Sequence, residues 1–389
     1  MIQKIGPLWT PARRAGRAAG RALFTARNEW RRRLWANECR RRISEKHRYW
    51  CSDFTVPAID LEQARRFLTA NFDGYSDTRW HEVCWRITGR VDPAFIPYDV
   101  FYLKIEPRLN LKDYQLVLTD KNAQYLNSML SPHLPEPVLH LVAGDFYLPS
   151  FVRVDHEDLK GILERTSEQF VVKPAIEHGG GLNLQIMNGE AAIAFLRDRV
   201  ARSQPRTHAN WVVQRQLRQC DELARFNASS VNTFRIMTMR LGQEVVCLSS
   251  VLRVGRAGML VDNQMAGGLA AGIAANRLRG RAMARDFYFH EKHPDSGVSF
   301  TGDLPAYGEA LALCRNLHQT TPWFDLVSWD VAIDERYRPK IIEFNVSDQE
   351  LDFHQLNNGP LFGPIDGPIL STLLRRLASR PPPTFVTTY

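Results

Sequence analysis

The sequence predicts a mixed fold, α/β or α+β, and three observations predict it. Strand-like and helix-like segments are interspersed along the chain instead of being gathered into blocks. From Phe170 the order strand, Gly-rich loop, strand, helix, strand follows within a single compact unit. At residues 324 to 346 two alternating strands flank a tight turn. With 389 residues, 44% hydrophobic and 24% charged, the chain can bury a sizeable core and is long enough for two to three domains.

The first fifty residues stand apart. They carry twelve Arg and two Lys against three Glu, so this segment sums to +11 and the remainder to −3 of the overall +8. Trp30, Leu34, Trp35, Ile43 and Trp50 alternate with the Arg clusters as in a basic amphipathic helix. Three roles suit such a helix: contact with an anionic membrane surface, contact with an acidic partner or nucleic acid, or packing on the body with solvated Arg. Packing with solvated Arg leads, because charge runs are most often solvated faces, an acidic partner or nucleic acid comes last, and nucleic acid is not expected as a partner. "ARRAGRAAGRALF" also has the Arg-rich look of a transit peptide but lacks its serines.

Asp60 is placed to cap a helix over "LEQARRFLTANF", and "DVFYLKIEPRLN" reads as an extended stretch ended by Pro107. "TDKNAQYLNSML" reads as a helix, "PEPVLHLVAG" as a strand and "DHEDLKGILERT" as a helix with acids in its first turn. "LNLQIM", "GEAAIAFLRDRVA" and "NWVVQRQL" continue as strand, helix and strand. "VNTFRIMTMR" and "QEVVCLSSVLRV" form two long strands about Leu241 and Gly242, "AGGLAAGIAA" a small-residue loop or helix start, and "PAYGEALALCRNLHQ" a helix. The six scattered cysteines form no C-x-x-C pair, which suits plain thiols in a reducing cytoplasm. No run of about 18 apolar residues occurs, so no membrane-spanning helix is expected.

"FDLVSWDVAIDERYRPKIIEFNV" carries the clearest chemistry. Pairing Ile333 with Lys340 across a turn at 334 to 339 sets Val331 opposite Ile342, Trp329 opposite Phe344, Asp330 opposite Glu343 and Ser328 opposite Asn345. Two carboxylates facing each other in a sheet repel unless a cation lies between them. Asp, Glu and an Asn carbonyl are oxygen ligands suited to Mg²⁺ with substrate phosphates; neutralisation by basic neighbours is the alternative. In "FVVKPAIEHGGG" the three glycines Gly179, Gly180 and Gly181 free backbone N–H groups to converge on an anion, and Lys173 alternates away from the apolar face. A plain turn is the other reading of that loop.

"VVKP", the Gly loop, "VVQRQL", "NTFRI", "WDVAID" and "EFN" together resemble the ATP-grasp superfamily, which includes D-alanine–D-alanine ligase and the ribosomal-protein glutamate ligases. With "DKN", the resemblance is to the sugar-transfer-associated branch found with polysaccharide genes, and it covers about residues 100 to 350. It implies an α+β ATP-grasp fold with nucleotide held between a small lid and a larger C-terminal domain. The corresponding partition is a basic helical segment 1–50, a preceding domain 51–140, a lid 141–212 and a catalytic domain 213–389.

The implied activity is carboxylate–amine ligation using ATP and one or two Mg²⁺ ions, with Mn²⁺ as a substitute. A carboxylate is phosphorylated, and an amine, sugar-borne or peptide-borne, then attacks the acyl phosphate; a kinase on the same fold is the alternative. By resemblance, Lys121 and Lys173 contact phosphates or adenine, Gly179 to Gly181 cover the phosphates, and Gln214, Gln216 and Leu217 form the adenine hinge. Arg235 and Arg253 offset charge on the transferring phosphoryl, Asn263 touches phosphate or metal, and Asp330, Glu343 and Asn345 hold the metal. The chain departs from the pattern at Ser328, where an Arg is usual. It departs again at Thr233, where a ribose carboxylate is usual and for which Asp221 or Glu222 would substitute. "VSDQELD" follows Asn345 in place of Pro-Gly, which leaves the acceptor pocket unassigned. The implied setting is cytoplasmic, with peripheral contact to the inner face of a membrane as one role for the basic segment.

Overall fold

A computed structural model describes residues 11–53, 58–90, 92–164, 168–176, 183–205 and 208–380, with side chains of 11–25 and 58–60 left undescribed. Two antiparallel sheets dominate it. The first has the order β3-β2-β1-β6-β4-β5, built from β1 (Pro137–Val142), β2 (Asp145–Tyr147), β3 (Arg153–Val154), β4 (Phe170–Pro174), β5 (Gln185–Met187) and β6 (Trp211–Arg215). The second has the order β11-β10-β9-β8-β7-β12-β13, from β7 (Thr233–Leu241), β8 (Glu244–Val254), β9 (Leu269–Ala274), β10 (Arg277–Met283), β11 (Phe289–His290), β12 (Leu326–Ile333) and β13 (Pro339–Asn345). The main helices are α1 (Pro11–Cys51), α2 (Ala58–Asn71), α3 (Arg79–Thr88), α4 (Asp158–Leu163), α5 (Gly189–Arg202), α6 (Tyr307–Gln319), α7 (Leu351–Asn358) and α8 (Pro368–Ser379). None is long and apolar enough to cross a membrane, among the described residues.

One face of the first sheet is sealed by α4 and α5, whose Leu159, Leu163, Ile193 and Leu196 bury against Leu139, Phe146, Phe170 and Val172. Asn188 starts α5 by accepting the Ala191 amide at 2.9 Å. In the second sheet, period-2 alternation sends Phe234, Ile236, Leu252, Trp329 and Val331 to the face covered by α6. Met237, Met239 and Val251 go to the opposite face, under α1, α3, α7 and α8. Arg235, Arg253 and Asp330 share the parity of this second face, where it opens into a cleft.

Several segments differ from the sequence reading. "DVFYLKIEPRLN" is helical, in three abutting pieces Tyr98–Val100, Phe101–Ile105 (a π turn) and Glu106–Leu109. Its buried Phe101, Ile105 and Leu109 recur every four residues, a helical spacing that overrides their β-forming and aromatic character. "TDKNAQYLNSML" holds only a single tight turn at Ala123–Leu126. Asp120 accepts the amides of Asn122 and Ala123, and Asn127 those of Met129 and Leu130, so side chains take the donors a helix would use. The "AGGLAAGIAA" stretch supplies β9, not a loop or helix start, because its small residues sit beneath α7: a Cβ on Gly272 would lie 2.6 Å from Asn358 Oδ1. α2 begins at Ala58, ahead of the expected cap at Asp60.

α1 packs on the body through Cys39, Ile43 and Cys51, with Trp35 and Trp50 beside them, and exposes most of the Arg side chains that are described. Trp30 and Leu34, counted in the same stripe by sequence, are 60% and 49% exposed.

Candidate active site

β12 and β13 pair as expected at the chemical positions: Ser328 with Asn345, Trp329 with Phe344 and Asp330 with Glu343. Nearer the turn the register differs by one, with Val331 opposite Ile341, Ala332 opposite Lys340 and Ile333 opposite Pro339. Ile342 is therefore the extra residue of a β-bulge, not the partner of Val331. The bulge lets Ile341 and Phe344, three positions apart, both enter the core, and leaves Ile342, Glu343 and Asn345 lining the cleft.

Across the sheet Asp330 is also directly opposite Arg235 on β7, so Glu343, Asp330 and Arg235 form one row over three strands. Arg235 grips both oxygens of Asp330, Nε to Oδ1 at 2.5 Å and Nη2 to Oδ2 at 2.7 Å. Arg253 on β8 reaches Asp330 Oδ2 at 3.2 Å and Asp262 at 3.1 Å, while Arg235 also donates to Glu350 at 2.9 Å. The result is an alternating chain Asp262, Arg253, Asp330, Arg235, Glu350, buried except at the half-buried Glu350. Burial opposes the Asp330 charge, but Arg235 and Arg253 outweigh it and hold this carboxyl below the usual range. Burial likewise opposes the Arg235 charge, and Asp330 and Glu350 overcome it to push this guanidinium further up. For Asp262 burial prevails over Arg253, and its carboxyl is raised. Asp262 and Glu350 were not picked out as site residues from sequence. Asp262 adjoins Asn263 in "VDNQMAGG" and accepts both the amide and hydroxyl of Thr233, which sets a carboxylate from a neighbouring loop beside position 233.

The cleft measures about 1420 Å³ and is lined by Lys121, Lys173, Gln214, Gln216, Leu217, Thr233, Arg235, Arg253, Asn263, Asp330, Glu343 and Asn345 among others. "DKN" divides its work. Asp120 shapes the turn, Asn122 ties it to β1 and β6 through the carbonyls of Leu141 and Trp211, and buried Lys121 comes within 3.7 Å of Glu343. Lys121 also donates its amide to Ala175, just beyond the β4 strand that bears buried Lys173. The Gln214 side chain donates to Tyr125 Oη at 2.5 Å, and β6 ends at Arg215, leaving Gln216 and Leu217 on the connection toward the second sheet. Asn263 caps a short turn by accepting the Met265 amide.

The residues offered in place of a ribose carboxylate lie elsewhere. Glu222 is exposed, accepts both its hydrogen bonds from Tyr337 Oη, and does not line the cleft; Asp221 is exposed beside it. Ser328 is buried and donates to Gln349 at 2.9 Å, so it anchors the segment after β13 instead of facing a ligand. Gly179, Gly180 and Gly181 lie outside the described residues.

Mg²⁺ fits part of this arrangement. Glu343 offers a carboxylate beside the cleft, and the buried Asn345 Nδ2 has no hydrogen-bond partner among the described residues. A phosphate oxygen would satisfy that nitrogen, or, with the amide turned over, its carbonyl would meet a cation. Asp330 has both oxygens on Arg and would ligate only by sharing one. Among the described residues no group of three His, Cys, Asp or Glu forms a ready-made metal centre.

A model of the sugar-transfer associated ATP-grasp family matches residues 102–364, well over half of the chain. The chain belongs to this family. Its six-stranded and seven-stranded sheets, with the cleft residues drawn from both, form an α+β ATP-grasp fold. A search of curated proteins finds no match. Similar solved structures include the biotin carboxylase domain of Hydrogenobacter thermophilus 2-oxoglutarate carboxylase, 12% identical with a TM-score of 0.42 over 70% of this chain and 48% of that one. A biotin carboxylase from Campylobacter jejuni is 8% identical with a TM-score of 0.42, over 72% and 49%. An L-amino acid ligase from Bacillus licheniformis is 13% identical with a TM-score of 0.35, over 67% and 48%. The chain thus spans about half the length of each of these three.

Proposed function

We propose that the protein is an ATP-dependent carboxylate–amine ligase, forming an amide through an acyl phosphate on a sugar, polysaccharide-precursor or peptide substrate. The observation that carries this reading is the row Glu343, Asp330, Arg235, flanked by Lys121 and Lys173 and opening into one cleft. Lys121 and Lys173 would bind and orient the nucleotide phosphates, with adenine along Gln214 to Leu217. Glu343 and Asn345, with a shared oxygen of Asp330, would hold Mg²⁺, which when bound polarises the γ-phosphoryl group. Arg253 and Arg235 offer guanidinium donors already fixed by carboxylates, so they can offset charge developing on the transferring group without reorganising. A cleft of about 1420 Å³ also leaves room for a second substrate. Lid and catalytic roles for residues 141–212 and 213–389 belong to the same proposal.

Incubation with ATP, Mg²⁺ and combinations of carboxylic acids and amines is expected to release ADP and phosphate only when an acid is present. ADP release that needs no carboxylic acid, or a phosphorylated product without free phosphate, points to a kinase on the same site.

A further inference from the structure

Beyond Asn345 the chain runs along the cleft wall through Ser347, Asp348, Glu350 and Asp352 until it meets α1. Here the basic N-terminal helix becomes part of the cleft. Lys46 of α1 lies 3.7 Å over the Phe287 ring and donates to the Arg285 carbonyl at 3.3 Å. Phe287 packs edge-on against Phe353, next to Asp352 in the first turn of α7. Lys46 and Asp352 therefore bracket one aromatic pair from opposite elements. Yet among the described residues no ion pair joins them, and neither has another charged partner within ion-pair distance.

Two of the other charges nearby are already matched, while Arg285 and Asp286 also line this end of the cleft. Arg42 is held by Glu38 and Tyr98 Oη, at 2.9 and 2.6 Å, and Glu350 by Arg235. Burial pushes the Asp352 carboxyl up to about 6, against the pull of Lys46 and Arg42 and with repulsion from Glu350. Burial also lowers the Lys46 ammonium, against the pull of Asp352 and Asp286. Two half-buried opposite charges that pull on each other across an apolar patch without forming an ion pair suit a ligand that carries both charges.

We propose that this end of the cleft is the second-substrate pocket and binds a small zwitterion, an amino acid or an amino-sugar acid, with its carboxylate on Lys46 and its ammonium on Asp352. The inference rests on the ligase reading for the word substrate, but not for the binding site itself. It gives α1, which lies outside the family-matched region, a specificity role. It also fills the place where "VSDQELD" departs from the family pattern.

The test is calorimetric titration of the full chain, saturated with MgADP, against the twenty L-amino acids and muramic acid at millimolar concentration. At least one is expected to bind, and its deaminated and decarboxylated analogues to bind at least tenfold more weakly. Asp352→Asn and Lys46→Met should each weaken it tenfold or more, with MgADP affinity within twofold of wild type. No binding to wild type, or equal binding to both variants, overturns the proposal. Zwitterion binding without acid-dependent ADP release would instead refute the ligase reading and leave the pocket standing.

Discussion

Asp330 is the residue on which the buried charges depend, since two guanidinium groups share its carboxylate. Asp330→Asn leaves Arg235 and Arg253 without that counter-charge in a buried sheet and is expected to cost about 3 to 5 kcal/mol, read from denaturant unfolding. Because the folded Asp330 carboxyl is depressed, its contribution is present above the unfolded carboxyl value and is lost as pH falls through the folded one. The wild-type advantage over this variant should therefore shrink in acid. Asp352 has the opposite sign. Raised from 3.8 to about 6, it costs stability increasingly as pH rises through that window. Asp352→Asn should be neutral near pH 3.5 and more stable than wild type at pH 8, by about 1 to 3 kcal/mol. The pairing of Asp330 with Glu343 was legible in sequence because alternation fixes it. The capture of Asp330 by Arg235 was not, because it depends on which strand lies on the other side of β12.

At the scale of elements, the bulge at Ile342 and the small-residue strand β9 show where local pattern stopped being informative. Strict alternation cannot announce an inserted residue, and "AGGLAAGIAA" looks flexible until a helix is laid across it. The same reasoning explains the Gly pair after Asn263. Gly267 has a φ of 87°, and a Cβ on Gly268 would sit 2.2 Å from the Asp262 carbonyl oxygen. Gly268→Ala must displace the loop whose Asp262 holds Thr233 and Arg253. It should lose about 2 kcal/mol of stability and most ATP turnover, whereas Gly267→Ala should lose about 1 kcal/mol. Thermal melts and ADP release on the two variants separate these outcomes.

For the whole molecule, α1 was legible as a basic amphipathic helix, but not what it packs against, because its apolar positions find partners on several separate elements, from Tyr102 beside Trp35 to Tyr288 beside Trp50. Removing residues 1 to 50 would strip Cys39 and Ile43 from the core they share with Met237, Met239 and Val251 of the second sheet, and Lys46 and Arg42 from the cleft. The truncated chain should melt earlier and bind a hydrophobic dye. A stable truncated chain with wild-type turnover would show that α1 is dispensable. Within the intact chain, Lys173→Ala and Glu343→Gln should each lower ATP turnover by about 10² to 10³-fold without lowering the melting temperature. The most direct test of the ligase reading is trapping with hydroxylamine, which converts an acyl phosphate to a hydroxamate. With ATP, Mg²⁺ and a panel of carboxylic acids, the wild type should yield a hydroxamate and one ADP for each, and Glu343→Gln should yield neither. A wild-type reaction that makes ADP and a stable phosphorylated product, with no hydroxamate from any acid, would contradict the account.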